Sequence, residues 1–145
     1  MKLKIKKMQP GAEVPRYQTE GAAGFDFHAC IDTAVTLGPG EIGNFSTGVG
    51  VEVPEGYELQ VRTRSGLAFR HRVTMLNGVG TIDSDYRGEI FVALINMGEG
   101  DFVVEPGMRI AQGVVARVER VEWEEIEELG ETERNARGLG STGLK

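Results

Sequence analysis

Phe91-Val92-Ala93-Leu94-Ile95 and, after turn signals at Gly98-Glu99-Gly100 and Pro106-Gly107, Val114-Val115-Ala116 are the stretches that decide the fold. Each is a continuous apolar run too short for a helix, which predicts a buried strand. Outward from them, Leu59 and Val61 alternate with Glu58, Gln60 and Arg62, Leu3 and Ile5 alternate with lysines, and Val121 and Trp123 alternate with glutamates. Gly38-Pro39-Gly40 and Pro54-Glu55-Gly56 add further turns. Short strands with a turn about every ten residues predict an all-β sandwich or barrel. Helical character is confined to Ser65-Gly66-Leu67-Ala68-Phe69-Arg70-His71, with Ser65 as the expected N-cap.

A chain of 145 residues, 40% hydrophobic and 26% charged, is long enough for one domain with a sizeable core and unlike a disordered or fibrous chain. Its 21 glycines suit many turns and places where backbone approaches something closely. Cys30 is the single cysteine, which excludes a disulfide framework. No apolar run follows the basic Lys2–Lys7 stretch, and none reaches the ~18 residues of a membrane span, so a soluble, cytoplasmic protein is expected. With 16 Lys and Arg against 22 Asp and Glu, direct nucleic-acid binding is disfavoured, because it requires clustered cations facing phosphates. An anionic ligand would need locally placed arginines or a metal.

Eight glutamates between Glu119 and Glu133 predict a solvated strand running into a linker. Beyond Gly130, Arg134-Asn135-Ala136-Arg137-Gly138-Leu139-Gly140-Ser141-Thr142-Gly143 has almost nothing to bury. It reads either as a mobile polar tail or as a phosphate-cradling loop, although the Walker A spacing is absent.

Thr81-Ile82-Asp83-Ser84-Asp85-Tyr86-Arg87-Gly88 follows Asn77-Gly78-Val79-Gly80 and precedes the Phe91 strand. A calcium loop beginning at Asp83 fails, because Leu94 stands where a bidentate glutamate is required. Two readings remain: a hairpin turn whose aspartates bond local amides, or a general base beside backbone groups that read a planar ligand edge. Arg64-Ser65-Gly66 offers a guanidinium, a hydroxyl and amides, either an anion site or an ordinary helix start. His28, Cys30 and His71 lack partners at ligand or nucleophile spacing and read as structural.

Five segments together resemble the motifs of the trimeric dUTP pyrophosphatase (dUTPase) family. They are Ala23-Gly24-Phe25-Asp26-Phe27-His28-Ala29, Arg64-Ser65-Gly66-Leu67-Ala68, Gly80-Thr81-Ile82-Asp83-Ser84-Asp85-Tyr86-Arg87-Gly88, Arg109-Ile110-Ala111-Gln112 and the stretch from Arg134 to Gly143. Their order and spacing cover nearly the whole chain. The resemblance implies a jelly-roll-like β barrel over residues 1–130, with one short helix, and a mobile Gly-rich C-terminal phosphate-binding tail over 131–145. It also implies a homotrimer with shared sites: motifs one, two and four from one chain, the third from a second, and the fifth from the remaining one.

The implied reaction is hydrolysis of dUTP to dUMP and pyrophosphate, which limits uracil incorporation into DNA and supplies dUMP for dTMP synthesis. By resemblance Asp83 is the general base for water attack on the α-phosphorus. Mg²⁺ is held chiefly by the triphosphate, with Asp26 helping through water or by ordering its neighbours. Arg64, Ser65, Gly66 and Gln112 match phosphate-side contacts. Asn77, Gly80, Thr81, Ile82 and Asp83 would read the uracil edge, and Tyr86 would press on the deoxyribose. In the tail, Arg134, Leu139, Gly140, Ser141 and Thr142 would close over substrate. Here the chain departs from the pattern: Leu139 stands where an aromatic is usual, and Asn135 and Arg137 replace glycines.

Two rivals carry different chemistry: a dCTP deaminase, which shares fold and trimer but needs a base-side glutamate arrangement not found here, and a non-catalytic nucleotide-sensing scaffold. Asp83 and Tyr86, neither needed for barrel packing, speak against the second.

Overall fold

Alternation and turn chemistry produce twelve strands and one helix in the computed structural model, which describes residues 1–138. Leu139, Gly140, Ser141 and Thr142 lie outside the described residues. In chain order the elements are β1 (Lys4–Lys7), β2 (Arg16–Tyr17), β3 (Phe25–His28), β4 (Val35–Leu37), β5 (Ile42–Ser46), β6 (Val49–Glu52) and β7 (Tyr57–Arg62). They continue with α1 (Ser65–His71), β8 (Val73–Met75), β9 (Val79–Ile82), β10 (Phe91–Asn96), β11 (Phe102–Val104) and β12 (Arg109–Arg117).

All pairings are antiparallel. A five-stranded sheet runs β2-β3-β12-β7-β9, a three-stranded one β5-β10-β8, and two pairs are β1-β6 and β11-β4. Inward side chains fill the space between them: Phe27, Phe45, Leu59, Ile90, Leu94 and Ile110 are fully buried. The protein is therefore all-β with one short helix, as expected, and its strand arrangement fits a jelly-roll-like barrel. Among the described residues no helix is long and apolar enough to cross a membrane.

Four local expectations differ from what forms. The apolar run of β10 is buried on one face only: Val92, Leu94 and Asn96 point inward and Phe91 stays half exposed. An antiparallel strand packed on one side needs no second apolar face, so the unbroken run overstated its burial. Among the described residues no strand follows Arg117, and Trp123 is almost wholly exposed. Alternation there finds no ladder partner among the described residues, and a strand without one leaves its amides and carbonyls unpaired. The helix is capped by Arg64 rather than Ser65, in extended conformation and without a side-chain cap bond. Its carbonyl instead accepts from the amides of Leu67 and Ala68 at 3.1 and 3.2 Å. Finally, Asp83–Gly88 is not a hairpin: β9 pairs with β7 while β10 pairs with β5 and β8, so the turn crosses between sheets.

Candidate active site

Asp26, Arg64, Arg109 and Gln112 come together where β3 and β12 lie side by side at the end of β7. In register, Gln112 lies opposite Asp26 on one side and Arg62 on the other. Arg109 and Gln112 are three residues apart, which on a regular strand would send them to opposite faces. A bulge between Arg109 and Ala111 shifts the register, so that Arg109 pairs with His28 and turns toward Asp26. Asp26 is buried, and its two oxygens divide between two cations: Oδ1 accepts from Arg64 Nε at 3.1 Å and Oδ2 from Arg109 Nη1 at 3.0 Å.

Arg64 also donates from Nη1 to the Arg109 carbonyl at 3.1 Å, closing the ring. Gln112 Nε2 donates to the Thr63 carbonyl at 3.0 Å, beside the residue that caps α1. Gly24 permits this packing, because a Cβ there would stand 2.8 Å from Gln112 Oε1. Arg64 and Arg109 also line a cavity of about 440 Å³ with Leu67 and His71 of α1. The arrangement is a rigid cationic shelf: one buried carboxylate orients two guanidiniums, each of which keeps further donors for an anion.

The second cluster is the 77–88 region. Gly78, at φ +68°, ends the turn after β8, and the Asn77 amide lies against Gly80, 3.1 Å from where a Cβ would sit. Asn77 and the backbone of β9 are thus adjacent. Beyond Ile82 the chain turns through the Tyr86 amide, which donates to the Asp83 carbonyl at 3.2 Å. Arg87 Nη1 braces the turn through the carbonyls of Ser84 and Tyr86 at 2.7 and 2.8 Å. The Tyr86 hydroxyl donates to the Glu89 carbonyl at 2.8 Å. Asp83 is exposed, and among the described residues its carboxylate has no side-chain partner. With Thr81, Ser84 and Arg117 it lines a cavity of about 1010 Å³.

Within one chain the Asp83 turn stays apart from the shelf, although the start of β9 pairs beside it, Val79 opposite Arg62. Ile82 lies opposite Leu59, five residues before Arg64, a separation of roughly 17 Å at ~3.4 Å per residue. The two cavities share no lining residue. Arg134 joins neither; it exchanges hydrogen bonds with Arg137, Nε to carbonyl at 3.0 Å and carbonyl to amide at 3.1 Å.

Among the described residues no group of three or more His, Cys, Asp or Glu could hold a metal ion. Each Asp26 oxygen already accepts from an arginine, so its remaining lone pairs fit an outer contact through water better than direct ligation. Cys30 is half-buried against the core, and burial, then the charges of Glu89 and Asp32, push its thiol above the ordinary range. A protonated thiol at neutral pH is a poor nucleophile. Two residues of weight had no assigned role in the sequence reading. Arg109 acts through a bulge that no composition or period announces, and Glu89 lies one residue past the Gly88 that ends the third motif.

The model of the dUTPase family matches residues 11–143. Deoxyuridine 5'-triphosphate nucleotidohydrolase of Helicobacter pylori (strain P12) is 52% identical over 144 residues, 99% of this chain and 98% of that protein. The enzyme of the same name from Nautilia profundicola is 54% identical over 143 residues, 99% of each. Among solved structures, the dUTPase of Staphylococcus bacteriophage 80alpha with dUPNHPP superposes with a TM-score of 0.90 at 26% identity, covering 99% of both chains.

Proposed function

Because the chain belongs to the dUTPase family, we propose that it hydrolyses dUTP to dUMP and pyrophosphate at sites shared between the subunits of a homotrimer. The observation that carries this reading is the division just described: an orienting cationic shelf around Asp26, and a partner-free Asp83 carboxylate on a braced turn, too far along the sheet to face it directly. A second chain supplies what one chain separates.

Asp83 takes a proton from a water as that water's oxygen bonds to the α-phosphorus. The bond to the bridging oxygen breaks in line and pyrophosphate leaves with that electron pair. Positioned base catalysis of this kind contributes ~10²–10⁴-fold. Arg64, Ser65, Gly66 and Gln112 hold the phosphates, and the buried Asp26 keeps Arg64 and Arg109 aimed. Mg²⁺, when bound chiefly by the triphosphate, supplies charge neutralisation, with Asp26 as its outer contact through water.

Asn77 and the backbone of Gly80, Thr81, Ile82 and Asp83 read the base. Uracil and cytosine differ at two adjacent edge positions, the ring nitrogen and the exocyclic group. Each mismatched buried hydrogen bond costs about 1–3 kcal/mol, so two together give roughly 30- to 10⁴-fold selectivity. Tyr86 covers the sugar where a 2′-hydroxyl would stand. Residues 1–130 form the barrel body and 131–145 the tail that closes on substrate through Arg134, Leu139, Gly140, Ser141 and Thr142. Leu139 gives apolar cover without aromatic stacking. In the cytoplasm this activity keeps uracil out of DNA and supplies dUMP for dTMP synthesis.

Pyrophosphate release from dUTP, UTP, dCTP and dTTP, in Mg²⁺, tests the reading. Release from dUTP alone is expected. Ammonia from dCTP would assign the deaminase instead, and binding without turnover the sensing scaffold.

A further inference from the structure

Glu89 stands one residue past the turn that carries Asp83 and Tyr86, on no strand, and lines neither cavity. Its carboxylate gathers donors from two other segments. Ser46 at the end of β5 donates its hydroxyl to Oε1, and the amide of Gly48 donates to the same oxygen at 2.9 Å. Gln9, in the N-terminal segment, donates Nε2 to Oε2 at 2.8 Å and to Oε1 at 3.1 Å. Gln9 Nε2 also reaches Ser46 Oγ at 3.1 Å, so the three side chains close on one another.

The same residue holds Tyr86 from its other end, through the main-chain carbonyl that accepts the phenol hydroxyl. Two glycines let this foot of the turn sit close. A Cβ on Gly88 would stand 2.3 Å from the Tyr86 oxygen, and one on Gly50 of β6 would stand 2.9 Å from the Gly88 carbonyl. The phenol therefore sits close against Gly88, and the Gly88 carbonyl close against Gly50 of β6.

We propose that Glu89 is a positioning residue for sugar selectivity: its carboxylate pins the end of the 83–88 turn to Gln9, Ser46 and Gly48, and its carbonyl thereby fixes where the Tyr86 ring stands. The inference rests on the proposed reading of the site, in which Tyr86 excludes the 2′-hydroxyl. Charge-assisted hydrogen bonds are about twice as strong as neutral ones, and three donors converge here on one half-buried group. A ring held at a single height discriminates by contact, whereas a ring on a loose foot can retreat from a hydroxyl.

Removing the carboxylate should then change which sugar is accepted more than how fast phosphorus reacts. The test compares wild-type protein with Glu89→Ala, Glu89→Gln and the exchange Gln9→Glu/Glu89→Gln, which returns a carboxylate facing an amide across the same gap. Steady-state rates are taken on dUTP and UTP at fixed Mg²⁺, with amide hydrogen exchange over residues 83–88. In Glu89→Ala the preference for dUTP over UTP should fall at least tenfold, through a raised KM for dUTP with kcat changed far less. Exchange at the Tyr86 amide should quicken, and the Gln9/Glu89 exchange variant should recover most of both.

A merely structural loss removes folded enzyme, lowering kcat on both nucleotides equally and leaving KM and their ratio where they were. That result in Glu89→Ala would overturn the proposal. Should Glu89→Ala fail to fold, Ser46→Ala removes one of the three donors and must shift the ratio in the same direction. A wild-type protein that leaves dUTP intact defeats the reading of the site, and the proposal about sugar selectivity with it. Hydrogen exchange still reports separately whether the carboxylate holds the turn.

Discussion

Asp26 and Asp83 are the same residue type put to opposite uses. Asp26 is buried on β3 with both oxygens committed to arginines at 3.0 and 3.1 Å, while Asp83 is exposed at the end of β9 with no side-chain partner among the described residues. A carboxylate shared between two guanidiniums orients them and has both oxygens occupied. One held only by its backbone keeps a lone pair for a water. Around each, the chain is tied by hydrogen bonds, through a bulge and an arginine ring in one case and through Arg87, Tyr86 and Glu89 in the other. In the proposed mechanism chemistry goes to the carboxylate left unpaired, and architecture to the one that is paired.

The sharpest way to break this contrast is Asp83→Asn. Turnover of dUTP should fall by ~10²–10⁴, with stability changed by no more than ~0.5 kcal/mol, as for surface substitutions generally. Rates and thermal midpoints on the same preparation check it. A midpoint lowered by many degrees would place Asp83 with Asp26.

Asp26→Asn should do the reverse in stability. Losing one partner of a buried pair costs ~3–5 kcal/mol, discounted here because Arg109 is nearly half exposed, to about 2 kcal/mol. That lowers the midpoint by ~4–8 °C for a chain of this size. Calorimetry reads it, and the accompanying rise in KM for dUTP reports the disoriented arginines. An unchanged midpoint would mean the ion pairs are ornament.

Gly88→Ala sharpens the other side. The added methyl pushes the Tyr86 ring from its place, so discrimination against UTP should drop by about tenfold. The core is untouched, so the midpoint should move little.

The smallest effect concerns pH. Burial, the largest influence on the Glu89 carboxyl, would raise its pKa; hydrogen bonds from Ser46, Gln9 and the Gly48 amide outweigh it and hold the group below the ordinary glutamate value. A depressed folded value gives stability that is complete above the unfolded value of ~4.3 and lost as pH falls through the folded one. The difference in thermal midpoint between wild type and Glu89→Gln should therefore be open at neutral pH and shrink as pH falls below the unfolded value of ~4.3.

Legibility in sequence followed the range of the interaction. Strand period marked β7, apolar runs marked β10 and β12, and the Gly-Pro turns separated them, because each is a local property of a few residues. The segments that resemble motifs drew attention to Asp26, Arg64, Gln112 and Asp83, and the structure brings the first three together. What escaped depended on pairing across the chain. The bulge that turns Arg109 exists only once β12 lies on β3. The capping role passed from Ser65 to Arg64 because the strand exit, not the side chain, set the first helical carbonyl. Trp123 alternates with glutamates like a strand, yet a strand needs a neighbour, and the described residues offer it none. Glu89 falls in none of the segments singled out in the sequence, and its three donors come from positions as far away as Gln9.

Mixing two inactive variants tests most directly whether the Asp26 shelf and the Asp83 turn work as halves contributed by different chains. Asp83→Asn and Arg64→Ala are each assayed for pyrophosphate release from dUTP, then unfolded together at equal concentration, refolded and assayed again. Shared sites predict recovery to about a quarter of wild-type activity, the fraction of sites in a random trimer that draw an intact Arg64 from one chain and an intact Asp83 from the next. A mixture that stays as inactive as its parents, while refolded wild type regains full activity, would contradict a site divided between chains.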